Sequence, residues 1–134
     1  MTPALAIIDA LPKEARIFFI GRKHPLEGDK ALSLEYQTIT DMGITFFPLT
    51  TGRLQRKIST RSFISLVKIP YGFFQALSIL ISCKPDVIIG FGGYLAVPVG
   101  LAAWILRIPF VIHEQTLDAG LANKFLARFA KKIK

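Results

Sequence analysis

Three observations predict an α/β fold, a Rossmann-like parallel sheet with helices on both faces. Strand and helix patterns alternate along the last third: Asp86 to Ile89 strand, Leu95 to Leu106 helix, Phe110 to Ile112 strand, Ala119 to Lys131 helix. Val87-Ile88-Ile89 and Phe110-Val111-Ile112 are apolar at every position, as in strands covered on both sides. The 134 residues, 51% hydrophobic and 19% charged, have the size and apolar content of one globular domain with one core.

Each element has its own signal. Thr2 as N-cap and Pro3 at the first helical position open an apolar helix through Leu11, which Pro12 closes. No strand pattern precedes it. Arg16 to Ile20 alternates into Gly21 as a short strand, and Ile44 to Leu49 forms another after the turn at Met42-Gly43. Between them, Gly28 to Thr40 carries a weak helical pattern. Arg61 to Ser82 is helical, with Pro70 and Gly72 placed to kink or split it. The run from Phe63 to Cys83 is too interrupted by Lys68, Pro70, Gly72 and Gln75 to span a membrane, and reads as a buried or interfacial helix.

Composition narrows the function classes. The single cysteine, Cys83, excludes a disulfide framework and reads as a buried thiol in a reducing compartment. The start has no secretory leader pattern, which points to the cytoplasm. Two histidines, His24 and His113, and no spaced Cys or His set leave no metal site; His24 reads as solvated surface. Net charge is +8, with no Asp or Glu between Asp41 and Asp86 while Arg53, Arg56, Lys57, Arg61, Lys68 and Lys84 occur there. A second basic run comprises Lys124, Arg128, Lys131, Lys132 and Lys134. Such a field suits anionic lipid, pyrophosphate or nucleic acid, or is an ordinary solvated face. No reader motif for nucleic acid accompanies it, so a nucleic-acid partner is not expected.

Ligands of an open parallel sheet bind beyond the carboxyl ends of its strands, which singles out two loops. In Gly90-Phe91-Gly92-Gly93-Tyr94, glycines let backbone N–H groups approach an anion at a helix N-terminus, or simply make a tight turn. In His113-Glu114-Gln115-Thr116, an imidazole beside a carboxylate can serve acid–base chemistry or hydroxyl recognition, or cap the next helix. Consecutive strands of a βαβ unit commonly pair, so the two loops should be neighbours. There is no nucleophile elbow, Walker loop or Gly-x-Gly-x-x-Gly turn, and no cofactor is implied.

A set of segments then carries a family resemblance across nearly the whole chain. Thr2-Pro3-Ala4-Leu5-Ala6, Phe19-Ile20-Gly21, Lys84-Pro85-Asp86-Val87, Gly92-Gly93-Tyr94, Ile108-Pro109, His113-Glu114-Gln115, Gly120-Leu121-Ala122-Asn123 and Leu126-Ala127-Arg128-Phe129-Ala130 resemble MurG-type transferases in order and approximate spacing. The resemblance implies the N-terminal half of a two-domain glycosyltransferase with paired Rossmann-like domains. Such enzymes move GlcNAc from UDP-GlcNAc onto undecaprenyl-pyrophosphoryl-muramoyl-pentapeptide, lipid I, to make the peptidoglycan precursor lipid II. Residues 1–134 would form the acceptor-binding domain, peripheral at the cytoplasmic face of the membrane. By resemblance, Gly92, Gly93 and Tyr94, with Gly90 in the same loop, hold the acceptor pyrophosphate. His113, Glu114 and Gln115 line the interdomain cleft, with His113 and Glu114 the candidates for catalysis and Gln115 and Thr116 near the donor. Trp104 falls in a membrane-facing patch, with Arg56, Lys57, Arg61, Phe73 and Phe74 expected beside it.

Three departures qualify what the resemblance implies. The family has a first strand and a Gly-Gly-Thr-Gly-Gly-His loop before the segment matched by Thr2-Pro3-Ala4, so a chain starting at Met1 is expected to lack the central strand of a 3-2-1-4-5 sheet. Thr116 stands where the family usually has Asn. The UDP-sugar half would follow Lys134, and the chain alone is expected to be inactive. The alternative is a non-catalytic, membrane-docking acceptor subunit of a split lipid-linked GlcNAc transferase.

Overall fold

The computed structural model describes residues 2–25, 30–50, 60–113, 124, 126–128 and 132–133, and the side chains of these except 2, 60–69 and 132–133. The chain divides into two compact units, Met1–Leu49 and Thr50–Lys134.

In the first unit, helix α1 (Thr2–Ala10) is followed by β1 (Phe18–Gly21), α2 (Leu34–Asp41) and β2 (Thr45–Pro48). β1 and β2 pair in parallel from Phe18↔Thr45 to Gly21↔Pro48. The weak pattern before Thr40 resolves into a shorter helix than Gly28 to Thr40, because Ser33 caps it. Its hydroxyl accepts the Tyr36 N–H at 3.1 Å and donates to the Arg22 carbonyl at 2.6 Å, so one side chain starts α2 and fastens it to the end of β1. Ile39 on α2 is fully buried; the Phe46 ring stacks on Phe19 at 5.5 Å between centroids and meets Tyr36 of α2 edge-on at 4.9 Å.

The second unit holds α3 (Thr60–Cys83), β3 (Ile88–Gly90), α4 (Ala96–Ile105), β4 (Phe110–Ile112) and β5 (Lys132–Ile133). Both of its ladders are parallel, in the order β3-β4-β5. α4 packs on β3 and β4, and α3 packs on α4. The core is built where these meet: Ala76, Leu80, Val99, Ala102, Ala103, Phe110, Ile112 and Leu126 are buried.

Several expectations need correction. α3 does not split at Pro70: it is one helix with Pro70 inside, on an exposed position where only one backbone hydrogen bond is lost. Cys83 ends that helix half-buried, not enclosed. His24 is half-buried, and its Nδ1 lies 2.9 Å from the Ala31 carbonyl. Lys132 and Ile133, just past the expected helix and with Lys132 counted only in the basic run, form a strand beside Val111 and Ile112. Most of the helix expected from Ala119 to Lys131 lies outside the described residues.

Candidate functional site

The β3–β4 ladder positions the site. Its register runs Ile88↔Phe110, Ile89↔Val111 and Gly90↔Ile112, with the Ile88 N–H donating to Pro109 at 2.9 Å and the His113 N–H to Gly90 at 2.8 Å. Both strands therefore end at the same level, which brings Phe91 of the first loop beside His113, the described residue of the second. Phe91 and His113 are the first residues past the strands, their rings 6.0 Å apart and tilted by 68°.

Next to them the chain turns through two left-handed residues, Gly92 at φ 81° and Gly93 at φ 79°. A side chain is strained at either backbone angle, and the space where a Cβ of Gly93 would sit is open, so the turn needs glycine for its backbone and leaves that backbone accessible. The Ala96 N–H closes the turn on the Gly93 carbonyl at 3.2 Å and starts α4. Leu95, at the N-cap, makes no side-chain cap hydrogen bond, a place that an anion at a helix N-terminus can take. The arrangement can cradle a phosphate group, with an imidazole on the adjoining strand.

The remaining expected residues are spread unevenly. Gly90 has a packing duty: a Cβ there would lie 2.7 Å from the Phe110 ring, which fills the space beneath it. Tyr94 is half-buried in the turn before α4. Glu114, Gln115, Thr116, Arg56 and Lys57 lie outside the described residues, as does the side chain of Arg61 near the start of α3. Phe73 is half-buried, its ring set edge-on to Phe74 at 5.4 Å, whereas Phe74 is 65% exposed and Trp104 55% exposed.

Two features were not anticipated. Tyr71 and Ile81, 62% and 52% exposed, continue Phe74 as a line three and seven residues apart along α3, with Ile105 exposed beside Trp104 on α4. Helical spacing could have drawn this line, but apolar residues outnumber polar ones along Phe63 to Cys83, so only Phe74 of it was expected in a patch. At the carboxyl end of β1, Glu35 is partly buried in the first turn of α2. Burial pushes its carboxyl above the ordinary 4.5, against the lowering effect of the Arg22 backbone N–H that donates to it. Among the described residues no three His, Cys, Asp or Glu side chains gather as a metal site, and no helix is long and apolar enough to cross a membrane.

Comparison with known proteins bears on this geometry. The model of the glycosyltransferase family 28 N-terminal domain matches residues 1–134. The UDP-N-acetylglucosamine--N-acetylmuramyl-(pentapeptide) pyrophosphoryl-undecaprenol N-acetylglucosamine transferase of Shouchella clausii is 40% identical over 131 residues, 97% of this chain and 35% of that protein. The protein of the same name from Staphylococcus carnosus is 40% identical over 116 residues, 87% of this chain and 30% of its own length. The crystal structure of Acinetobacter baumannii MurG superposes with a TM-score of 0.73 at 31% identity, covering 98% of this chain and 35% of that one. The chain thus spans about a third of the length of these relatives. With a match from the first residue to the last and the parallel strand–helix architecture in agreement, the chain belongs to the glycosyltransferase family 28 N-terminal domains.

Proposed function

We propose that this chain is the acceptor-binding part of an N-acetylglucosaminyltransferase that moves GlcNAc from UDP-GlcNAc to undecaprenyl-pyrophosphoryl-muramoyl-pentapeptide in peptidoglycan synthesis. The observation that carries the reading is the left-handed Gly92-Gly93 turn, exposed at Gly93 and set near His113 past the carboxyl ends of β3 and β4. A pyrophosphate is the acceptor's densest charge, and a turn of backbone N–H groups at a helix N-terminus matches it without a metal ion. Glu114, Gln115 and Thr116 follow His113 in sequence and belong to the same proposed cleft, the last two toward the donor sugar.

Membrane docking is the second half of the reading. The exposed line Tyr71, Phe74 and Ile81, with Trp104 and Ile105, supplies apolar side chains for the lipid interface at the cytoplasmic face. Arg56, Lys57 and Arg61 supply cations for anionic headgroups, on a chain whose net charge is +8.

Calorimetric titration of the chain with farnesyl pyrophosphate tests the acceptor site. Binding should be saturable and should weaken at least about tenfold in Gly93→Val, the equivalent of about 1.4 kcal/mol. Equal affinity in the folded variant would remove the glycine turn from the site.

A further inference from the structure

Phe91 belongs to neither of the roles drawn so far, yet its placement is specific. β3 and β4 are parallel and in register, so Gly90 and Ile112 lie opposite each other, and Phe91 and His113 are the next pair along. Alternation puts Gly90 and Ile112 on one face of the ladder and Phe91 and His113 on the other. The first face is closed: the Phe110 ring lies under Gly90 and under Gly100 of α4, and Ile112 is 1% exposed. The opposite face carries the half-buried pair Phe91 and His113, ring against ring at 6.0 Å and 68°. That tilt brings a positive ring edge toward a negative ring face, the favoured geometry for two aromatic rings. Phe91 is thus joined on one side to the imidazole and on the other, by its own peptide bond, to Gly92.

We propose that Phe91 is a positioning residue for His113. Its ring restricts the imidazole to one arrangement beside the Gly92-Gly93 turn, so that the turn and the imidazole meet a phosphate-bearing ligand together. The proposal rests on the reading of that turn as an anion site. Backbone hydrogen bonding alone does not supply this restriction: the His113 N–H is fixed on Gly90, but the side-chain torsions of His113 are set by what its ring packs against. Leu at position 91 would keep the apolar bulk and lose the edge-to-face contact; Tyr would keep both.

The test is NMR of the intact chain, Phe91→Leu and Phe91→Tyr, titrated with inorganic pyrophosphate. Far-UV circular dichroism first establishes that each variant is folded. The chain has two histidines, so His24→Gln assigns the remaining ring signals to His113. In the unmodified chain these signals should be displaced by the Phe91 ring current, lose that displacement in Phe91→Leu and regain it in Phe91→Tyr. Pyrophosphate should shift the Gly92 and Gly93 amides together with the His113 ring, with affinity about 2- to 10-fold weaker in Phe91→Leu and restored in Phe91→Tyr. His113 signals that ignore residue 91, or equal affinity in all three chains, overturn the role of Phe91 and leave the anion site standing. No pyrophosphate response in the unmodified chain overturns the anion site itself and Phe91's part in it.

Discussion

Glycines that look alike in the sequence do different work at single residues. Gly90, Gly92 and Gly93 read as one phosphate loop, since spacing alone cannot separate a glycine that frees the backbone from one that makes room for a ring. The backbone angles make the division: Gly92 and Gly93 are left-handed, while Gly90 belongs to β3 and lies over Phe110. Gly90→Ala should therefore destabilise the fold by about 1–3 kcal/mol through overpacking. Thermal unfolding should show the loss, and Phe110→Leu in the same chain should recover part of it, which no phosphate-contact role would explain. Glu35 offers a second test. Its folded-state carboxyl titrates above 4.5 because burial disfavours the charge, so the folded chain holds the proton more tightly than the unfolded one. Its contribution to stability is fully present below pH 4.5 and is lost as pH rises through the raised folded value. Glu35→Gln keeps an acceptor for the Arg22 N–H without a titrating charge. Denaturant midpoints measured from pH 4 upward should fall less steeply in the variant; parallel curves would contradict the assignment.

Elements were legible in proportion to how strongly local pattern and tertiary packing agreed. Phe110 to Ile112 was read without error because a short apolar run between Pro109 and a polar loop has no competing pattern. β5 was missed because two residues, Lys132 and Ile133, have no periodicity; a strand exists there because β4 offers an unpaired edge. α3 was expected to kink or split at Pro70 and Gly72, and it does not split, because a helix of 24 residues packed on α4 tolerates one lost hydrogen bond. Its exposed line was hidden in a run where apolar residues outnumber polar ones, and this is where the docking reading is tested. Phe74→Ser should reduce co-sedimentation with phosphatidylglycerol-rich liposomes while leaving the circular dichroism spectrum unchanged, since Phe74 is 65% exposed. Salt should release the unmodified chain as the Debye length shortens, because headgroup attraction is screened. Binding indifferent to both changes would leave α3 without a membrane role.

The chain belongs to the family 28 N-terminal domains and spans about a third of the length of its relatives. The relatives' full length exceeds what this chain supplies, so the chain alone, given radiolabelled UDP-GlcNAc and a lipid acceptor, should transfer no sugar. Measurable turnover would contradict the division of labour. The central claim, that these residues form the acceptor half of such a transferase, is tested most directly by grafting them into the Shouchella clausii relative in place of the matched 131 residues, with that protein's own sequence kept on both sides. The measurement is transfer of labelled GlcNAc to an undecaprenyl-pyrophosphoryl-muramoyl-pentapeptide analogue. The account predicts turnover by the chimera and its loss in the same chimera carrying Gly93→Val; a folded chimera that binds UDP-GlcNAc and transfers nothing would contradict it.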